Sequence, residues 1–492
     1  MSKRLILFLF TALLAAALLA SCGEDKADAP ASVTTADAAA QEETTEAVET
    51  QLQANVPEKD FGGAAFRICS YQHPSYATIG NFEFYVESEN GEVVNDAVFR
   101  RNQTIEERFN MEIKEEKQGD TVSTLTKAVA AGDEPFDIYV ILHQNAGGAM
   151  MNGNMYNIRE MNYIDLNMPW WSRELGEGMT INGRLYFVSG DYLLYEKKRT
   201  YCLFFNKDMI RDLGIDSPYD SVFDNAWTLD VLHGMMQGVA SDLDGDGTMT
   251  PENDRWGLVL SAYANTYGFL MGADINAVTE KNGEYQFTLY SDRLVSMLDK
   301  LIAIASDNTI AFASGTPITK GDWSGHTNTF LGNRALFNSS IVSGIQSTVQ
   351  NAEFDFGVLP MPKFDEKQAT YRTSSDRELS AVIVVPVNDA DPDMTGILLE
   401  ALSAESHYTT RVAYIETACK TKYSYDEETV RVLDIIFDNT YYNLGTFFNL
   451  GDMNTVLRGI IEKGENTISS SYASIETKAV KDLEKLISFF EE

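Results

Sequence analysis

The chain has 492 residues, carries 73 Asp and Glu against 38 Lys and Arg for a formal net charge of -35, and is 44% hydrophobic. So acidic a chain gains neither attraction nor counterion release from nucleic acid or a phosphate-rich surface, which excludes both as partners. Its apolar share is that of a globular protein with sizeable cores, enough for about two to three domain equivalents.

The chain opens with Lys3 and Arg4, an apolar run LILFLFTALLAAALLA, and small residues that end at Cys22. A charged start, a greasy middle and small residues before a cysteine stand in signal-peptide order. The run is shorter than the roughly 20 residues a membrane-spanning helix needs, and no basic stop-transfer segment follows. It resembles a bacterial lipoprotein signal, which implies cleavage before Cys22 and a diacylglycerol on its sulfur. From Gly23 to Val56 the residues are mostly Ala, Thr, Glu, Asp and Gln. They bury too little to repay the entropy of ordering, so this stretch reads as an extended acidic tether.

AAFRICSY at Ala64–Tyr71 predicts a strand, and Val94, Val98, Ile105 and Phe109 stand at helical spacing. MEIKEEK alternates as a strand, and FDIYVIL, from Phe136 to Leu142, is the continuous apolar run of a buried one. Strand, helix, strand, helix, strand is the pattern of an α/β sheet with crossovers. Asn182 and Gly183 predict a hairpin turn between strand-like runs, with a helix starting in NKDMIRDLGI. A second α/β unit follows: a helix capped by Thr228, the strand RWGLVL, a helix around LVSMLDKLIAIA, and strands in RALFNSS and FDFGVLPMP. SAVIVVP predicts one more strand, and helices run from there to the C terminus.

Cys69, Cys202 and Cys419 each lie in an apolar-flanked stretch, and there is no C-x-x-C or H-E-x-x-H spacing. These are the marks of buried thiols, not of a disulfide scaffold or a zinc centre. No G-x-S-x-G or P-loop occurs, and Gly176-x-Gly178 has Ile181 where a dinucleotide site needs its third glycine. One motif carries metal chemistry. Asp242, Asp244 and Asp246 occupy positions 1, 3 and 5 of a calcium loop, with Gly247 at 6 and the Thr248 carbonyl at 7. Asn253 replaces the usual Glu at position 12, which leaves Asp254 beside it as the candidate last ligand. Three carboxylates this close repel unless a cation sits among them, so a structural calcium ion is expected, and no catalytic cofactor.

The order of INGRLYFVSGDY, LFFNKDMIRDLGI, AWTLDVL, ALFNSSIVSGI, FGVLPMPKFDE and TACKTKYSYDEETVRVLDIIFDNTYYNLG, behind Cys22 and the tether, resembles the extracellular solute-binding proteins of family 1. These are the lipoprotein subunits of carbohydrate-type ABC importers. The resemblance implies an α/β, two-lobe, periplasmic-binding-protein-like fold of type II, its lobes joined by hinge strands and its ligand in the cleft between them. It divides the chain into a signal at 1–22, a tether at 23–56, one lobe at 57–159 with 380–420, and another at 160–379 with 421–492. It also implies a monomeric, non-enzymatic receptor on the extracellular face of the cell membrane, attached by its lipid alone. Such a receptor closes over a sugar or oligosaccharide and hands it to an importer permease. The alternatives are a surface-anchored glycoside hydrolase with a carboxylate pair and a receptor for a non-sugar solute.

Ligands of open α/β sheets sit outside the carboxyl ends of strands. This points to Gln144 beside His143 and Asn145, to Asp191 and Tyr192, and to Ser339 beside Asn338. A sugar site also wants aromatic faces. Trp170 and Trp171, just after a proline, are the first candidates, then Phe447 with Tyr442 and Phe448, whereas Trp227 and Trp256 are assigned to packing. Asp376 and Arg377, in what resembles an interlobe strand, either pair with each other or clamp a ligand.

Overall fold

Strand β1 (Ala64–Tyr71) is the centre of the first lobe, with Phe66, Ile68 and Cys69 buried. The computed structural model describes residues 51–74, 81–261, 265–422 and 426–491. The signal, Cys22 and the tether up to residue 50 therefore lie outside the described residues. Helix α1 (Val93–Phe109) buries Val98, Ile105 and Phe109, the stripe its spacing predicts. It stops where Asn110 turns left-handed at φ 48° and closes its N–H on the Glu106 carbonyl. Strand β2 (Met111–Gln118) then pairs parallel with β1, from Ala64 opposite Met111 to Tyr71 opposite Gln118. Helix α2 (Thr121–Ala131) is capped by the Asp120 carboxylate, which accepts from the Ser123 N–H at 2.9 Å. Strand β3 (Ile138–Leu142), buried throughout, pairs parallel with β1 on its other side. It starts two residues later than its apolar run because the Asp137 carboxylate is held by Arg67, at 2.6 Å from its N–H and 2.5 Å from its guanidinium.

The chain then crosses to the second lobe. Asn182 (φ 50°) and Gly183 (φ 77°) make the expected tight turn, closed by a single bridge between Ile181 and Arg184. The expected strand after it does not form. LYFVSG stays extended but pairs one residue at a time, Val188 with Ile383 and Gly190 with Trp171. Gly190 is required there, since a Cβ would strike the Trp170 carbonyl.

The second lobe is built on β4 (Tyr201–Asn206), followed by α3 (Lys207–Leu213), with the Asn206 side chain as its cap. Helix α4 (Leu229–Met236) has Thr228 as its cap, its hydroxyl accepting from the Val231 N–H at 3.3 Å. After β5 (Trp256–Ser261) comes a hairpin of β6 (Val278–Lys281) and β7 (Glu284–Phe287), turned at Asn282 and Gly283. Helix α5 (Asp292–Ala305), β8 (Ala311–Ser314), β9 (Ala335–Ile341), α6 (Gly344–Asn351) and β10 (Phe356–Leu359) complete this unit. The sheet order is β10-β4-β9-β5-β8, with β5 parallel to both neighbours and β4 antiparallel to both of its own.

Strand β11 (Ala381–Val384) returns the chain to the first sheet, antiparallel to β3, for the order β11-β3-β1-β2. Helix α7 (Pro392–Tyr408) packs on α1. A π-helical stretch, Ala413–Lys422, leads on to α8 (Glu427–Asp438) against β10. Helices α9 (Met453–Lys463) and α10 (Ile468–Glu491) pack on α5 and β7 respectively. Cys69, Cys202 and Cys419 are free and buried, and burial pushes the Cys69 and Cys419 thiols up to about 12, so none is a thiolate.

Candidate functional site

A cleft of about 1100 Å³ opens at the carboxyl ends of β2, β5 and β9, marked by Lys117, Ser261 and Ile341. Because β4 runs antiparallel to β9, its first residue, Tyr201, lies at the same end. This is where an open α/β sheet presents loops to a ligand. The cleft is wide enough for a drug-sized or larger molecule, against about 300–1,000 Å³ for ordinary ligand pockets.

Its floor lies where the chain crosses between the lobes and Thr200 bridges Ser375. Asp376, 1% exposed, pairs with the Arg199 guanidinium and accepts from the Tyr201 hydroxyl at 3.1 Å and the Glu378 N–H at 3.0 Å. Burial alone would lower Arg199, but the Asp376 carboxylate outweighs it and holds the guanidinium above its ordinary value. Burial and the same carboxylate push the Tyr201 phenol well above its own. Lys198 beside them pairs with Glu83 and lies 5.2 Å from the centre of the Tyr414 ring.

The second-lobe wall is neutral. Ser339, Ser340 and Ser343, Asn338 and Gln346 line the cleft together with Trp323, with Asn338 and Ser339 almost wholly buried. The Trp323 indole is 53% exposed and lies against Gly315, where φ is 80° and any Cβ would run into the ring. His326 is fixed by the Ser314 hydroxyl, 2.5 Å from its backbone N–H and 3.1 Å from Nδ1. Burial pushes its imidazole down to about 4, so it is uncharged near neutral pH. An exposed indole face among neutral hydroxyls and amides matches a ring with an apolar face and hydroxyl edges.

Of the residues singled out from sequence, Ser339 and Asp376 line this cleft, and Gln144 reaches its edge by donating to the Glu378 carbonyl at 2.6 Å. Arg377 does not pair with Asp376; it donates to the Phe447 carbonyl at 3.1 Å and to Glu378 at 3.1 Å. Phe447 is core, stacked on Phe187 at 5.3 Å. Asp191 is buried between His407 at 2.6 Å and Lys197 at 3.5 Å, and Tyr192 is buried under the Arg101 guanidinium at 4.7 Å. Trp170 and Trp171 are core as well. Glu400 of α7 makes their burial possible, accepting from the two indole N–H groups at 3.1 and 2.8 Å. Trp227 and Trp256 are buried too. Sequence reasoning missed Trp323, although GDWSGH, with no apolar neighbour, is a turn that leaves its tryptophan outside a core.

Glu400 gives a pH signature. Burial pushes its carboxyl up to about 7 from 4.5, against the two indoles and the Asp165 N–H, which pull it down. A carboxyl raised in the folded state adds stability below about 4.5 and loses it as pH rises through about 7. The difference in unfolding free energy, wild type minus Glu400→Gln, is expected to fall by about 3 kcal/mol across that window and stay level above it. A difference that does not vary with pH would contradict this.

The acidic loop brings Asp242, Asp244 and Asp246 together, one oxygen of each within 4.8 Å of the others. Asp254 does not join them. Its oxygens accept from the Leu243 N–H at 2.9 Å and the Thr250 N–H at 2.6 Å, so it ties the loop's ends. Thr248 donates its N–H to Asp246 at 2.7 Å.

No protein-family model and no curated protein matches the sequence. Among solved structures, the chain is similar to an ABC substrate-binding protein from Listeria monocytogenes in complex with cycloalternan, at 12% identity and a TM-score of 0.52 over 87% of this chain and 99% of that one. It is also similar to the galacto-N-biose/lacto-N-biose I-binding protein of an ABC transporter from Bifidobacterium longum, in complex with lacto-N-biose, at 12% identity and a TM-score of 0.57 over 87% of this chain and 98% of that one. At that identity the likeness establishes the fold: a two-lobe α/β architecture of the periplasmic-binding-protein kind.

Proposed function

We propose that this chain is a solute receptor that captures a sugar or oligosaccharide between its lobes and delivers it to an ABC importer permease. The observation that carries the proposal is the cleft at the strand ends, with the exposed Trp323 beside a wall of hydroxyls and amides. Two solved proteins of the same fold that hold saccharides lend support. Ligand contacts both lobes only when they close, so binding shifts the population toward the closed form. A glycoside hydrolase fits less well. The two carboxylates among the described cleft residues are each held by an arginine, Asp376 by Arg199 and Glu378 by Arg377, and neither is left as an acid or nucleophile.

The test is a thermal-shift screen against mono- and oligosaccharides, with amino acids, peptides and polyamines as controls. A several-degree rise with one saccharide class and no product formed is the expected result, because a ligand that binds only the folded state raises Tm. A rise with another solute alone would remove the carbohydrate assignment, and released product would favour the hydrolase.

The same reading places the receptor on the extracellular face of the membrane through a lipid on Cys22, acting as a monomer. Cys22→Ser, expressed with its signal in a bacterial host, should leave the membrane fraction, and retention there would count against the anchor. The Asp242–Asp246 loop is read as a structural calcium site, with Asp242, Asp244, Asp246 and the Thr248 carbonyl as ligands. Chelation is expected to lower Tm by a few degrees and added calcium to restore it; an unchanged Tm removes the metal.

A further inference from the structure

The charge of the cleft runs against that of the chain. In a protein of net charge -35, the carboxylates among the described lining residues are Asp376 and Glu378, both spent on arginines. Arg199 and Lys198 are spent in turn on Asp376 and Glu83. Lys117, exposed at the carboxyl end of β2, makes no ion pair among the described residues, so the unbalanced charge on the wall is positive.

The second lobe adds a helix end. Ser343, Gly344, Gln346 and Ser347, at the start of α6, all line the cleft. No acidic residue lies in that first turn, and the Ser343 hydroxyl does not cap it. At this helix start the Ser343 N–H donates to the Lys198 carbonyl at 2.9 Å and the Ile345 N–H to the Val342 carbonyl at 3.0 Å. The remaining leading N–H groups of a helix have no intrahelical acceptor and carry the positive end of its dipole, which suits an anion. Next to them on the cleft wall, Asn338 is 2% exposed and its side-chain oxygen has no hydrogen-bond partner among the described residues. A buried acceptor of this kind calls for a donor, which a ligand hydroxyl supplies.

Resting on the saccharide reading above, we propose that the cleft selects an anionic glycan, one bearing a carboxylate as a uronic acid does, over the neutral glycan of the same length. The carboxylate sits at the first turn of α6, a hydroxyl donates to Asn338, and Lys117 brings positive charge from the other lobe. Lobe closure then places the anion between Lys117 and the first turn of α6.

Isothermal titration calorimetry on the full-length chain in detergent tests this, with the trisaccharides of galacturonate, mannuronate and glucuronate, each beside its methyl ester. At least one acid is expected to bind about tenfold or more tighter than its ester, and to weaken as salt is added. Lys117→Met and Ser343→Asp should each weaken that acid about tenfold. Ser343→Asp sets a carboxylate at the positive end of α6, so its ligand-free Tm should hold or rise, which separates lost recognition from lost folding. A neutral or esterified saccharide that binds as tightly as every acid would overturn the anionic selection while leaving the saccharide reading in place. Unchanged affinity of the acid in both variants would overturn the site. Binding of no saccharide at all, with a response to another solute, would remove the underlying reading itself.

Discussion

Trp323→Ala is expected to weaken saccharide binding about 30-fold, while moving the Tm of the ligand-free protein by no more than about 2 °C. The two effects separate because Trp323 is a large aromatic that the core does not use. It is 53% exposed, and its neighbour Gly315 has no Cβ to hold it off. A tryptophan that contributes little to folding yet is seated on a required glycine is shaped for contact with something outside the chain. Trp323→Phe keeps a ring face and should recover most of the affinity. Gly315→Ala should damage binding without touching the ligand, since its methyl group would dislodge the indole and its φ of 80° disfavours alanine. Calorimetry on the three variants decides the matter, and full affinity in Trp323→Ala would take this residue out of the site.

Asp376→Ala should cost about 3–5 kcal/mol of stability, the largest effect expected from a single substitution in the hinge. Its carboxylate, 1% exposed, answers three donors: Arg199, the Tyr201 hydroxyl and the Glu378 N–H. Removing it leaves an arginine charge in a largely buried place with no counter-ion, a heavier penalty than the net worth of the pair. The loss falls at the crossing between the lobes, so closure and ligand affinity should decline together. Urea unfolding followed by tryptophan fluorescence measures it, and a loss below about 1 kcal/mol would mean that water or another acceptor replaces the carboxylate.

The elements most legible in the sequence are those whose pattern is local. β1, α1 and β2 follow their apolar periods nearly residue by residue, and Thr228 caps the helix it was expected to cap. The hairpin of β6 and β7 carries the same Asn-Gly signal as Asn182–Gly183 but is hard to read from sequence, because its strands are four residues each and largely exposed, and only β7 alternates. LYFVSG has the composition of a strand, yet its partners are single residues far off in sequence, and period 2 says nothing about how many neighbours a segment finds.

The site was less legible than the fold because it depends on pairs distant in sequence. Trp170 and Trp171 look like surface aromatics until Glu400, some 230 residues away, supplies acceptors for both indoles. Asp191 looks like a ligand residue until His407 covers it. Lys198 and Arg199 sit in a charged run whose partners, Glu83 and Asp376, only the fold reveals. Ser339 and Asp376 were within reach because the rule about carboxyl ends of strands and the interlobe resemblance depend on chain order rather than on a particular contact.

The most direct test of the account is calorimetric titration of the full-length chain with a panel of saccharides, with the mixtures then analysed for product. The account predicts that one saccharide class binds one-to-one and is recovered intact. Heat from an amino acid, peptide or polyamine with none from any saccharide, or hydrolysis of the bound glycan, would contradict it.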